Sequence, residues 1–212
     1  MSRYTSATGA EAEFEPGSNK QVLRNRLGIV NKREIDQLEF EHLVCVQKKY
    51  YEEIEDSTCF NADLICKMQK DWLGDIYDWA GSYRTVELAK NGFRWPPAYL
   101  VEKNMADFEA SILSHLTPCR PDSIENISLA LAKVHAELLL IHPFRDGNGR
   151  LARWLADLMA LQAGFPLPEY ELTGSGSIER KKMYIASVQN GYAQNYKPLA
   201  SFFAEALDRA TR

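Results

Sequence analysis

The sequence predicts an all-α domain, a helical bundle around a central buried helix, with one small β-hairpin set into it. Three observations carry this. Apolar residues recur at helical spacing in segment after segment. One segment, 121–142, is apolar on nearly every side, the pattern of a helix at the centre of a bundle. A single Asn91-Gly92 pair sits between short runs of β-like residues, which is a hairpin signal.

The elements follow in chain order. Residues 1–20 are polar, contain no apolar signal core and read as an N-terminal arm, leaving 21–212 as a single domain. Residues 31–55 predict a helix capped by Asn31, with Ile35, Leu38, Phe40, Leu43 and Val44 as its apolar stripe. Residues 61–79 predict a second helix, burying Leu64, Ile65, Met68, Trp72, Ile76 and Trp79. In 80–100, Tyr83, Thr85 and Glu87 alternate with Arg84, Val86 and Leu88, and the chain turns at Asn91-Gly92. Pro96 and Pro97 end the hairpin, because proline cannot donate to a ladder.

Residues 101–116 predict an amphipathic helix. The 121–142 helix opens at a capping-box-like pair, Asp122 and Glu125, and carries the stripe Ile127, Leu131, Val134, Leu138 and Ile141. Asn126, Lys133 and Glu137 form its narrow polar edge. Residues 150–164 predict the next helix, with Leu151, Trp154, Leu155 and Leu158 inward and Gly164 as its stop. Two more follow, 177–191 capped by Ser177, and about 198–209 with Pro198 in its first turn.

Composition limits the function classes. The 212 residues are 45% hydrophobic and 25% charged, and a chain of this length buries about 70% of its unfolded surface without staples. The net charge of −4 shows no basic footprint, so no nucleic-acid partner is expected. No apolar run reaches the ~18 residues of a membrane span, so no membrane role is expected. Cys45, Cys59, Cys66 and Cys119 form no CxxC and read as reduced thiols, consistent with a cytoplasmic location.

The chemistry is concentrated in "HPFRDGNGRLAR", residues 142–153, between two segments built for burial. His142 ends the central helix, and Pro143 cannot continue it, so a rigid element holds the imidazole as a general base requires. Near pH 7 an ordinary imidazole is largely neutral and able to accept a proton. Gly147, Asn148 and Gly149 precede a helix, and such a turn aims backbone N–H groups into one concavity beside the positive dipole end. Arg150 and Arg153, three apart, lie on one side of that helix's first turn, where two cations oppose the dipole and so point to a bound anion. Asp146, the one carboxylate of the loop, is suited to Mg²⁺ beside phosphates. Each feature alone has a plainer reading: a helix cap, a turn, a solvated face. Their coincidence within twelve residues points to a phosphate-handling site.

The same twelve residues resemble, position for position, the signature HxFx[D/E]GNGRxxR of the Fic domain family. Residues 22–29 and 76–95 also resemble that family's opening segment and the hairpin "flap" over its active site. The resemblance implies the Fic fold and AMP transfer from ATP to a Tyr, Thr or Ser hydroxyl of a target protein. It implies His142 as base, Asp146 on Mg²⁺, and Gly147, Asn148 and Gly149 on the phosphates, with the Asn148 side chain among the contacts. Arg150 is then expected on the β-phosphate, Arg153 on the γ-phosphate, and Lys90 near the nucleotide. The flap edge, about residues 86–93, is expected to add a strand of the target, and the helix from about Met183 to Tyr192 to contact the adenine.

Many family members carry an inhibitory [ST]xxxE[GN] helix. Here Ser201…Glu205 is followed by Ala206 and Ser175…Glu179 by Arg180, so neither completes the pattern. This leads to the expectation of a separate small antitoxin-like inhibitor, with this chain as the toxin half. The alternatives are a Doc-like kinase, a transferase using another donor, and a non-catalytic nucleotide-binding module. A metal phosphohydrolase built on His42, His115, His135 and His142 finds no supporting motif.

Overall fold

The computed structural model describes residues 10–120, 123–174 and 176–212. Its helices are α1 (Lys32–Glu53), α2 (Ala62–Leu73), α3 (Val101–Phe108), α4 (Ser114–Leu116), α5 (Ile124–Ile141), α6 (Asn148–Gln162), α7 (Ser177–Gly191) and α8 (Lys197–Ala210). A π-helical turn, Glu109–Leu113, makes α3 and α4 one continuous rod. The expected all-α class holds, with the predicted hairpin as its one sheet among the described residues.

The central helix is α5. It packs against α3, α6, α7 and α8 and buries Ile127, Leu131, Val134, Leu138 and Ile141, the expected stripe. It starts later than expected. Ser123 caps it, accepting from the Asn126 backbone N–H at 3.2 Å, while Asp122 lies outside the described residues. The α7 cap also differs: Gly176, at φ +82°, takes the position expected for Ser177. Asn31 and Asn61 cap α1 and α2 through their side chains.

The α1 stripe is a correction. Phe40 and Val44 face solvent, and the buried line is Ile35, Glu39, Leu43 and Tyr50. Steps of four and seven residues keep that line on one face. A carboxylate lies on it because it has an ion-pair partner in the core. The hairpin is also shorter than its alternation implied: β1 (Ala89–Lys90) pairs with β2 (Phe93–Arg94) in register Ala89↔Arg94. Asn91 at φ +50° and Gly92 at φ +82° form the tip, as a two-residue turn requires. The alternation is seen in burial: Arg84, Val86 and Leu88 are all buried.

From residue 11 onward the expected N-terminal arm, 1–20, makes contacts with the rest of the chain. Phe14 bridges Leu23, Ser18 is buried, and the Glu11 carboxylate accepts from the Thr85 backbone N–H at 3.2 Å. Arg145 donates to the Glu11 carbonyl at 2.8 Å, so this strap touches both the flap base and the signature loop.

A close helix contact joins α7 to α5. A Cβ on Gly191 would meet the Ala136 Cβ at 2.5 Å. Gly191→Ala should therefore lower stability by about 1–3 kcal/mol in urea unfolding. Helix propensity alone would raise it by about 0.5–1 kcal/mol, so an unchanged or raised midpoint would show that the two helices part without cost.

Candidate active site

α5 ends at His142, whose backbone turns left-handed at φ +53° while its N–H still reaches the Leu138 carbonyl at 2.9 Å. The side chain is 5% exposed. Nδ1 lies 3.1 Å from the Leu139 carbonyl, an acceptor only, so Nδ1 carries the hydrogen and Nε2 the lone pair. Trp95 lies against the ring with centroids 4.0 Å apart and donates from Nε1 to the same carbonyl at 2.9 Å. Burial pushes the His142 pKa down to about 3 and Arg84 adds to this, against the Leu139 hydrogen bond that raises it. The imidazole is therefore neutral at pH 7, as a base must be before it acts.

The loop after it is closed by Asn148. Its Oδ1 accepts from the Phe144 N–H at 2.9 Å and its Nδ2 donates to the Phe144 carbonyl at 2.7 Å. The Asn148 side chain, expected on phosphate, forms a clip within the loop here. Only Gly147 of the three nest residues has a positive φ, +86°; Asn148 and Gly149 already belong to α6. A Cβ on Gly147 would meet the buried Trp72 ring at 2.7 Å. Glycine is required there by both backbone and space.

The two motif arginines part company. Arg150 donates to the Glu39 carboxylate at 2.6 Å, lies 3.6 Å from Asp146 and covers the Trp72 ring at 4.5 Å. Glu39 also accepts from the Tyr77 hydroxyl at 2.6 Å, and its backbone carbonyl accepts from Trp72 Nε1 at 2.8 Å. Arg153 instead lines a cleft of about 280 Å³ with His142, Gly149 and Lys90. Its Nη1 donates to the Tyr184 hydroxyl at 3.4 Å, and Tyr184 bonds His135 at 2.7 Å. No carboxylate lies within ion-pairing distance of Arg153 among the described residues. The two arginines, expected to grip one anion together, thus have different protein partners.

The cleft has an apolar end. Phe93 of the flap lies 5.1 Å from Tyr192, and Ile185 and Val188 of α7 complete the wall. An apolar slot leading to cations and helix N–H groups fits a nucleoside with its phosphates. Tyr184, Ile185, Val188, Gln189 and Tyr192 of the segment expected to meet the adenine line this cleft, although Met183 does not.

Asp146 fits a divalent cation shared with phosphates. Its Oδ1 accepts from the Gly147 N–H at 2.5 Å, and among the described residues its Oδ2 accepts no hydrogen bond. No group of three or more His, Cys, Asp or Glu could hold a metal among the described residues, so an all-protein cage is absent there. His135 is a core residue bonded to Tyr184, not part of a metal cluster.

Sequence reasoning missed Glu39, Arg84, Trp95 and Tyr184. Two signals were available: Glu39 stands on a buried stripe and Arg84 on the inward face of a strand-like alternation. A charge in either place calls for a buried partner.

Buried titratable groups give a pH signature. Burial pushes His135 and His142 down to about 3, and pushes Asp157 up to about 7 despite hydroxyl donors from Tyr170 and Tyr51. For the histidines the folded pKa is depressed, so their stability is full above ~6.5 and is lost as pH falls. Asp157 has the opposite sign, because its folded form holds a proton up to about pH 7. From these three groups the unfolded chain holds about one proton more near pH 5, and nearly none more by about pH 6.5. Stability should therefore rise by about 1.4 kcal/mol per pH unit near pH 5 and level off by about pH 6.5. Asp157→Asn should steepen the rise. Urea unfolding between about pH 4 and 6.5 tests it, and flat profiles would contradict buried neutral imidazoles.

The comparisons with known proteins agree with this geometry. The model of the Fic/DOC family matches residues 59–160. A probable protein adenylyltransferase of Sinorhizobium fredii is 29% identical over 188 residues, 88% of this chain and 90% of that one. A probable protein adenylyltransferase of Salmonella typhimurium is 27% identical over 217 residues, 95% and 94% of the two chains. Among solved structures, BepC of Bartonella tribocorum with bound AMPPNP matches with a TM-score of 0.72 over 91% of this chain and 94% of that one. At 19% identity that likeness is one of fold. Signature loop, flap, cleft and relatives matched along most of their length converge: the chain belongs to the Fic/DOC family.

Proposed function

We propose that this chain is a protein adenylyltransferase, moving AMP from ATP to a Tyr, Thr or Ser hydroxyl of a target protein. The observation that carries the reading is the pose of His142. Its Nδ1–H is fixed on the Leu139 carbonyl, and the ring stands at the polar end of a cleft shared with Arg153, Gly149 and Lys90. The two full-length relatives named as adenylyltransferases, and the fold neighbour with AMPPNP, support the donor.

In this reading the target hydroxyl gives its proton to His142 Nε2, and its oxygen attacks the α-phosphorus. The bond from that phosphorus to the bridging oxygen breaks and pyrophosphate leaves. The α6 N-terminus and the Gly147–Gly149 backbone hold the phosphates. Arg153 meets the terminal phosphate, and Arg150, anchored on Glu39, supplies charge beside Asp146. Asp146 would hold Mg²⁺, which when bound neutralises charge on the phosphates. Catalysis is then mostly positioning and electrostatics.

The target would dock against the flap around Lys90 and Asn91. The expected edge, about residues 86–93, turns the side chains of Val86 and Leu88 inward and is paired at Ala89–Lys90 with Phe93–Arg94. An inhibitor, in this reading, is a separate small antitoxin-like protein that brings a carboxylate to Arg153. The in-chain glutamates are engaged elsewhere: Glu205 with Arg180 at 3.2 Å and Glu179 with Lys182 at 2.6 Å. Ser175, the start of the second near-match, lies outside the described residues.

ATP labelled on the α- or the γ-phosphate separates the readings. The purified chain with Mg²⁺ and a bacterial lysate should transfer α-label only. His142→Ala should cut transfer by about 10²–10⁴-fold. Transfer of γ-label would mean a kinase. In the same assay Glu205→Gly should leave the rate unchanged, and a rise would place the inhibitory glutamate within this chain.

A further inference from the structure

Arg84 is a large cation in the core that the site description leaves without a role. It is 2% exposed. Its guanidinium meets no carboxylate within ion-pairing distance among the described residues. Glu11 and Glu87 act on it only from farther off; their carboxylates accept from the N–H groups of Thr85 and Ala98. Its partners are backbone carbonyls instead. Nε donates to His142 at 2.7 Å, Nη1 to Val86 at 2.9 Å, and Nη2 to Pro96 at 2.7 Å and Ile141 at 3.4 Å. Its own N–H donates to the Pro143 carbonyl at 2.8 Å.

These partners belong to three different parts of the site. Ile141, His142 and Pro143 are the end of α5, where carbonyls lack helical partners and the dipole is negative. Val86 and Pro96 are the two legs of the flap. The flap's Trp95 in turn lies on the His142 ring. One planar cation therefore ties the carbonyl of His142 to both flap stems at once.

We infer that Arg84 is the positioning residue of this site, setting the place of His142 and the height of the flap above it together. The inference rests on the reading of His142 as the base of adenylyl transfer. Lysine cannot replace it. An ammonium offers three donors from one atom, and these carbonyls are approached by three separate nitrogens of a fixed fork. A loosened His142 would still leave Arg153, Gly149 and the apolar wall able to take the nucleotide. The loss belongs in turnover, not in binding.

The test uses the full chain with Arg84→Lys, and Arg84→Gln as a neutral planar second variant where the lysine form does not fold. Two readouts are taken on folded protein: side-chain nitrogen NMR of His142, and kcat with KM for ATP. We expect the His142 resonances to shift and lose their single Nδ1–H tautomer. We expect kcat to fall on the order of 10²-fold, the cost of an ångström-scale misplacement, with KM for ATP changed less than about 3-fold. A role in stability alone would lower the folded fraction and leave kcat per folded molecule and the His142 resonances as they were. That result would overturn the inference, as would a rise in KM at unchanged kcat. If the wild-type chain transfers no label, the adenylyl reading fails by itself. The NMR arm then still decides: a shifted His142 supports positioning by Arg84, and an unmoved one overturns it.

Discussion

The site depends on how one helix stops. The last carbonyls of α5 have no partner within the helix, and burial forbids leaving them unmet. Those of Leu138, Leu139 and Ile141, with that of His142, are taken by groups that the site uses. The Leu138 carbonyl accepts from the His142 N–H. The Leu139 carbonyl accepts from His142 Nδ1–H, Trp95 Nε1 and the Tyr192 hydroxyl. The carbonyls of Ile141 and His142 accept from Arg84. Satisfying a helix end and orienting a base are here one set of hydrogen bonds. That coupling explains why the flap, the base and the α7 wall hold a common geometry although they are far apart in sequence.

The second constraint is electrostatic. Two arginines one helical turn apart would repel if both faced the same empty space. Arg150 is neutralised by Glu39 and stacked on Trp72, which places it against the core. Arg153 is held by hydroxyl and ring contacts with Tyr184, which leave its charge uncompensated beside the cleft. A buried pair such as Glu39–Arg150 adds little net stability, because desolvation offsets the attraction. Its effect is on geometry: it fixes α1 against the first turn of α6 and sets Asp146 between an arginine and the Gly147 N–H.

Much of this was legible beforehand, for identifiable reasons. The apolar stripe of α5 and the inward set of α6 could be read because period and burial coincide there. The Asn-Gly tip was readable because few residues adopt left-handed angles without cost. His142, Asp146, Gly147 and Arg153 lie within one short loop and helix turn, so local spacing already implied their proximity. The α1 stripe was misread because Phe40 and Val44 are apolar and Glu39 is not, and hydrophobicity alone cannot see an arginine 111 residues away. The Asn148 clip was not legible for a related reason: an amide next to a phosphate nest and an amide that clips its own loop look the same in sequence.

The sequence by itself determined the helical class, the central helix, the hairpin tip and the grouping of base, acid, nest and arginines, because each depends on neighbours within a few residues. Only the tertiary structure decided which carboxylate meets which arginine, that Asn148 serves the loop, and that Arg84 joins the flap to the end of α5. Those outcomes depend on contacts between residues about 4 to 111 positions apart, whose cost or gain exists only once packing has removed water from around them.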